Sequence, residues 1–280
     1  MIGTVTLLGF GEAASTFALA VDWPSALAFD IADRAAACDD AGVRCCQSAA
    51  KALAQSPLIL SLVTAEAALD VASEAARHIA NGALYCDMNS VAPETKKAAA
   101  RLIEQSGGRY VDVAVMAPVN PQRLAVPLLI AGPAAEAAKA ALASLGFTSI
   151  RNVGDDIGRA SAIKMIRSVM VKGIEALTAE MILASRVAGV TDEVLASLDA
   201  SDRTMSWRER VDYNLDRMLV HGLRRAAEMY ESSQTLSALG IAPMMTENTV
   251  GWQQAIGDLG ISPVPEGLEA KLAAIVEKMP

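Results

Sequence analysis

Thr4-Val5-Thr6-Leu7-Leu8-Gly9-Phe10-Gly11-Glu12-Ala13-Ala14 reads as a short buried strand that runs into a glycine turn and then into a helix. Gly9 permits the tight turn, Gly11 lets the backbone come close to a bound pyrophosphate, and Ala14 is small enough for the helix to pack on its strand. The first-turn N–H groups of that helix have no intrahelical partners and would face the phosphates. Gly9, Phe10, Gly11, Glu12 and Ala13 are therefore candidate cofactor-binding residues. The same spacing also suits an ordinary strand–turn–helix corner, and its last position is Ala rather than Gly. The remainder of the chain decides between the two.

Beyond the turn, strands and helices alternate. Ala13 to Val21 reads as a short helix closed by Trp23-Pro24, and Ser25 to Asp30 as a second buried strand. Asp30 stands 21 residues beyond Gly9, close to the offset at which an acidic residue accepts hydrogen bonds from an adenosine ribose. A carboxylate there repels a 2′-phosphate, so NAD is favoured over NADP, a preference that Arg34 tempers. Val43 to Cys46, Leu58 to Val63, Leu84 to Asp87, Tyr110 to Val115, Pro127 to Ala131 and Phe147 to Val153 are further strands. Helices are expected over Ser48 to Gln55, Thr64 to Ile79, Pro93 to Gln105 and Ala134 to Leu145. The uninterrupted apolar run Leu58 to Val63 fits a parallel sheet covered on both faces. The order predicts a doubly wound parallel α/β sheet over residues 1–157, with the glycine turn as its first crossover.

Residues 158–280 read as helices only. Arg159 to Ala188 contains no proline and one glycine, with apolar residues on every side, which predicts a long helix that links two domains and is buried between domains or subunits. Thr191 or Asp192 can cap a short helix, Ser206-Trp207-Arg208-Glu209 has the capping-box pattern, and helical sequence continues to Gly240. Thr246 to Leu259 and Pro265 to Lys278 give two last helices.

At 280 residues and 52% hydrophobic composition the chain can bury a large core. A net charge of −8 argues against non-specific nucleic-acid binding. No apolar run reaches the ~18–20 residues of a membrane helix, and no signal peptide is evident, so a cytoplasmic protein without a membrane partner is expected. Cys38, Cys45, Cys46 and Cys86 stand in no metal or redox spacing and read as reduced core residues; with only His78 and His221, no metal site is expected.

Polar residues on a buried helix call for a reason. At 100° per residue, Lys164, Ser168 and Glu175 fall within about 40° of one another, with Lys172 a further 40° or so round. Lys164 follows the last strand closely and can stand over the sheet's carboxyl edge, where ligands bind in open parallel sheets. There it can exchange a proton with substrate. A structural ion pair of Lys164 or Lys172 with Glu175 fits the same spacing.

Gly9 to Ala14, Asp87-Met88-Asn89-Ser90-Val91-Ala92-Pro93, Val111-Asp112-Val113-Ala114-Val115 and Gly158…Lys164…Ser168 stand in the order found in the β-hydroxyacid dehydrogenases. The chain resembles that superfamily along its whole length, and most of all a group related to 6-phosphogluconate dehydrogenase that shares the His221-Gly222-Leu223-Arg224-Arg225 pattern. The resemblance implies a Rossmann domain followed by an all-α domain, a nicotinamide cofactor and a homodimer formed through the helical domain. It makes Lys164 the acid–base group, with Ser90 and Ser168 beside it. Leu62, Val63, Thr64 and Asn89 would lie near the nicotinamide. The chain departs from the family in two places: Met116-Ala117-Pro118 replaces a Ser-Gly-Gly substrate loop, and Ser168 replaces an asparagine. The small-molecule substrate is thus held differently, with Met116, Lys172, His221 and Arg225 as candidate contacts. His221, Arg224, Arg225 and Glu228 share one helical face, which suits either an anion clamp or a solvated face with an Arg224–Glu228 pair. The implied activity is hydride transfer at the carbinol carbon of a polar, anionic hydroxyl compound. The alternatives are oxidative decarboxylation of a β-hydroxyacid with Glu175 as second acid, and a dinucleotide sensor without turnover.

Overall fold

The computed structural model describes residues 4–200, 206–238 and 242–279. The chain divides into two compact units, Met1–Met165 and Ile166–Pro280. Eight strands form one sheet in the first unit: β1 (Val5–Leu8), β2 (Leu27–Phe29), β3 (Arg44–Cys45), β4 (Leu58–Ser61), β5 (Leu84–Asp87), β6 (Arg109–Val115), β7 (Leu128–Ala131) and β8 (Ile150–Asn152). Their spatial order is β3-β2-β1-β4-β5-β6-β7-β8. The helices between them are α1 (Glu12–Ala18), α2 (Ala35–Asp40), α3 (Ala49–Leu53), α4 (Ala68–Ala76), α5 (Pro93–Gln105) and α6 (Ala135–Ser144).

Side chains alternate across the sheet with period two, and both faces are covered. Leu7, Leu60, Cys86, Val111, Val113 and Ile130 pack with Phe17 of α1 and Leu142 of α6. Their chain neighbours Leu8, Ile59, Tyr85 and Tyr110 point the other way, onto Leu53, Ala72, Ala75, Ala99 and Ile103 of α3, α4 and α5. This two-sided burial is why the strands read as continuous apolar runs.

The sheet is not parallel throughout. β6 and β7 pair antiparallel, and β8 runs parallel to β7. The cause is the connection: a proline-rich segment with no α-helix joins β6 to β7, and a parallel neighbour needs a crossover. Two helices also differ from the sequence pattern. The pattern gives no sign of α2, and α4 opens at Ala68 rather than Thr64, which leaves Val63 to Ala67 as a loop on the sheet's edge.

Helix α7 (Arg159–Ala188) begins in the first unit and continues through the second, and after it come α8 (Thr191–Asp199), α9 (Trp207–Ala238), α10 (Met244–Asp258) and α11 (Leu268–Lys278). The capping box at the start of α9 is present: the Glu209 N–H donates to Ser206 Oγ and the Ser206 N–H to Glu209 Oε2, each at 3.2 Å. α9 is one continuous helix to Ala238, and Gly240 lies outside the described residues. Val211, Leu215 and Met218 of α9 form the core of the second unit with Ile182, Leu195, Ile256, Leu272 and Ile275. Apolar residues on every side of α7 predict burial between domains or subunits; within the single chain Ile166, Met170, Ile174 and Leu177 are exposed along one face. Among the described residues no helix is long and apolar enough to cross a membrane.

Candidate functional site

Strand register brings the candidate loops to one edge. Leu8 lies opposite Phe29 of β2 and Ser61 of β4, so Gly9, Asp30 and Leu62 are the next residues out on three adjacent strands. The strand order reverses between β1 and β4, the position at which such sheets form a ligand crevice.

The two glycines of the turn have different reasons to be glycine. Gly9 has φ +84°, and a Cβ built on it would lie 2.5 Å from Leu62 O and 2.8 Å from Val63 Cγ1. The protein itself therefore imposes glycine there, because the loop leaving β4 presses on the turn. Gly11 has an ordinary φ of −85°, and a Cβ on it would meet nothing within 4 Å. It is the N-cap of α1, and no side chain supplies a cap hydrogen bond. Among the described residues, nothing within 4 Å requires glycine at 11.

Asp30 is fixed to the same turn. Its Oδ2 accepts the Phe10 N–H at 2.7 Å, its Oδ1 accepts the Ala32 N–H at 2.8 Å, and Arg34 Nε stands 3.7 Å away. Glu12 and Thr64 are exposed, whereas Ala13, Leu62 and Val63 are half-buried. The residues present thus fit a dinucleotide, with the amides of the turn for its phosphates and Asp30 for a ribose diol.

At the ends of β4 and β5, Asn89 works as a tie. Its Oδ1 accepts the Val63 N–H at 2.7 Å, and its Nδ2 donates to Ser61 Oγ at 3.0 Å. Those bonds hold the Val63 loop in place. The next residue, Ser90, accepts a hydrogen bond from Lys164 Nζ. Both side chains are half-buried, Lys164 on the second turn of α7. Met116 is half-buried and packs with Ala114, Leu129 and Ala160, while its N–H donates to Pro127 O at 2.9 Å.

A buried polar cluster joins Asp87 and Asp112 of the quoted motifs to Lys96 and Tyr110, which the motifs do not include. Lys96 is fully buried; its Nζ donates to Asp87 Oδ1 at 2.9 Å and to Asp87 O at 2.6 Å, and stands 3.6 Å from Asp112 Oδ1. Tyr110 Oη donates to Asp87 Oδ2 at 2.6 Å. Asp112 Oδ2 accepts the N–H groups of Gly158 and Ser161, at 3.1 and 3.0 Å, and so caps the start of α7. Burial raises the Asp112 carboxyl above its ordinary value, against the pull of Lys96 and the two amides. Helical spacing did hold a signal: Lys96 falls on the buried stripe with Ala99, Ala100 and Ile103, while Lys97 is exposed and pairs with Glu94 at 2.7 Å.

In the second unit the candidate substrate contacts are already engaged. Lys172 pairs with Glu228, and Arg225 pairs with Glu175, whose Oε2 also accepts Gln253 Nε2 at 3.0 Å. Each helix carries a cation and a carboxylate three residues apart, and α7 and α9 meet crosswise, 172 to 228 and 175 to 225. The expected pairing of Lys164 or Lys172 with Glu175 is replaced because Arg225 takes that carboxylate. Burial lowers the Lys172 ammonium below its usual range, Arg225 and Arg224 add to that, and Glu228 opposes it. Arg224 does pair with Glu228, at 2.6 Å, on an exposed face, and His221 is half-buried one turn earlier. Ser168 is buried.

Of the cysteines, Cys38 and Cys86 are core residues, and burial pushes the Cys86 thiol up to about 12. Cys45 is exposed and Cys46 half-exposed, because strand β3 lies at the sheet's edge, so neither is the core residue expected. Among the described residues no three His, Cys, Asp or Glu side chains are grouped to hold a metal ion.

Residues 25–149 match the NAD binding domain of 6-phosphogluconate dehydrogenase, and residues 186–256 match a domain of unknown function, DUF1932. The glycine turn and Lys164 lie outside both matched ranges. A conserved hypothetical protein from Sinorhizobium meliloti is 33% identical, with 100% of this chain and 97% of that one covered and a TM-score of 0.74. The conserved protein MTH1747, of unknown function and structurally similar to 3-hydroxyacid dehydrogenases, is 29% identical over 91% of this chain and 97% of its own, with a TM-score of 0.69. The 3-hydroxyisobutyrate dehydrogenase of Mycobacterium tuberculosis, solved with L-serine, shares the fold at 15% identity, with 99% of both chains covered and a TM-score of 0.73.

Proposed function

We propose, from the premise that this chain belongs to the β-hydroxyacid dehydrogenase superfamily, that it is an NAD(P)-dependent oxidoreductase acting on the carbinol carbon of a polar, anionic, 3-hydroxyacid-like compound. The observation that carries this reading is the hydrogen bond from Lys164 Nζ to Ser90 Oγ, beside the sheet edge that bears the glycine turn. The bound nicotinamide supplies the hydride acceptor or donor, and the protein supplies orientation and a proton. Lys164, neutral, takes the hydroxyl proton when the alcohol is oxidised; protonated, it gives one to the carbonyl oxygen on reduction. Ser90 holds the amine toward that oxygen.

The Gly9–Ala13 turn binds the pyrophosphate through its amides, and Leu62, Val63 and Thr64 flank the nicotinamide end. Asp30 favours NAD: its charge disfavours a 2′-phosphate, and Arg34 at 3.7 Å reduces that preference without reversing it. A homodimer through the helical unit agrees with the exposed apolar face of Ile166, Met170, Ile174 and Leu177 on α7, which a second copy of the chain would cover. A monomer in analytical ultracentrifugation would remove that part.

Lys164→Ala tests the chemistry. Loss of a general acid–base group lowers kcat by about 100- to 10,000-fold, while NAD still raises the melting temperature as in the wild type. A wild-type protein that binds NAD tightly yet turns over no member of a broad hydroxyacid panel would instead be a dinucleotide sensor.

A further inference from the structure

The buried cluster around Lys96 is not used by the chemistry above. A fully buried ammonium persists only with its hydrogen bonds filled, and two carboxylates around one ammonium are no better for stability than apolar packing. The placement of its partners is informative. Asp87 ends β5, three residues before Ser90. Asp112 lies in register beside Asp87 on β6 and holds the Gly158 and Ser161 N–H groups, just before Lys164. The cap of α7 thus comes from a strand 46 and 49 residues away rather than from a local side chain, which ties the helix start to the sheet.

We propose that Lys96 and Asp112 are positioning residues for the Lys164–Ser90 pair. Lys96 clamps the strand end that delivers Ser90 to the carboxylate that fixes the start of α7, and so sets where Lys164 stands. This rests on reading Lys164 as the acid–base group. The lever arm makes the clamp matter. At about 1.5 Å per residue, Lys164 lies about 9 Å along the helix from Gly158, so a tilt of roughly 6° moves it by about 1 Å. A misplacement of about 1 Å can cost about 100-fold in rate.

Asp112→Asn is the primary variant: its amide oxygen still accepts the two N–H groups, but the charge facing Lys96 is gone. Lys96→Met is the second, and circular dichroism and NAD binding establish that each is folded. Two readouts are taken, kcat and KM across pH, and the pH titration of Lys164 Nζ by NMR on lysine-labelled protein, assigned with Lys164→Arg. The expected result is a fall in kcat of roughly 10- to 100-fold, little change in NAD affinity, and displaced midpoints in both the kcat profile and the Lys164 titration. An unchanged kcat and titration in folded Asp112→Asn overturns the proposal. So does a lower kcat with both midpoints unmoved, which would signify a structural loss only. Failure of the functional reading looks different: Lys164→Ala would keep its turnover, whereas the titration of Lys164 would still respond to Asp112→Asn if the clamp is real.

Discussion

Gly9→Ala and Gly11→Ala should separate what the fold needs from what the cofactor needs, although the two residues share one motif. At Gly9 the penalty is internal. A non-glycine residue at φ +84° pays about 1–2 kcal/mol for the left-handed conformation. A Cβ 2.5 Å from Leu62 O adds overpacking of about 1–3 kcal/mol. The sum, about 2–5 kcal/mol, is a large part of the 5–15 kcal/mol or so typical of a folded protein. At Gly11 the backbone is ordinary and no protein atom lies within 4 Å of the new Cβ. A poorer N-cap costs up to about 1 kcal/mol, and reduced unfolded-state entropy returns about 0.4–1 kcal/mol. Stability then stays within about 1 kcal/mol, whereas a methyl group set against the pyrophosphate weakens NAD by about 1–3 kcal/mol, roughly 5- to 150-fold in Kd. Urea unfolding monitored through Trp23, buried in the first core and bonded to Leu145 O at 3.0 Å, reports the first unit once Trp207 and Trp252 are changed to Phe. NAD affinity is read by calorimetry on the same proteins. Wild-type NAD affinity in Gly11→Ala would refute close approach of phosphate to this turn, and wild-type stability in Gly9→Ala would refute the packing of the β4 loop against it.

Arg225→Ala leaves Glu175 buried beside Gln253 and should destabilise the helical unit by about 3–5 kcal/mol. Replacing both partners, Arg225→Met with Glu175→Leu, should recover only part of this, because the buried Gln253 Nε2 then loses its acceptor, and a single-variant loss below about 1 kcal/mol in urea unfolding would mean the pair is solvated. The Asp112 carboxyl, raised above its ordinary value of 3.8, binds more protons folded than unfolded between that value and its folded one. Its contribution is therefore fully present below pH 3.8 and is lost as pH rises through the folded value. Measured as urea midpoints, wild type minus Asp112→Asn should fall with rising pH in that window, by at most about 1.4 kcal/mol per pH unit; a difference that is flat or rises with pH contradicts the burial of this charge.

The sheet and its loops were legible because burial on both faces writes apolar runs of strand length, and because glycine and proline mark the connections between them. Asp30 and the glycine turn were legible through spacing alone. The reversal at β7 was not, since an apolar strand carries no sign of direction; only the connection from Met116 to Pro127, which has no α-helix, bears on it. Lys96 was hidden by chemistry: a lysine beside a second lysine near a helix start reads as solvated, and only its position on the Ala99, Ala100 and Ile103 stripe places it inside. The pairing of Lys172 with Glu228 and of Glu175 with Arg225 depends on which helix packs on α7, which periodicity within one helix does not encode.

The two buried charge clusters differ in what they hold. In the helical unit the ladder joins side chain to side chain, Lys172 to Glu228 and Arg225 to Glu175, so hydrophobic replacement of both partners can leave the helices where they are. In the first unit the charges end on backbone: Lys96 on the carbonyl of Asp87, and Asp112 on the amides of Gly158 and Ser161. Apolar residues of equal volume would fill that space but would leave those backbone groups without partners, and with them the start of α7. A raised Asp112 carboxyl at neutral pH is a standing cost to stability, and the groups it secures lead directly to Ser90 and Lys164. A cluster whose charges end on the backbone groups that precede Ser90 and Lys164 is better explained by where it puts those residues than by the ion pairing itself.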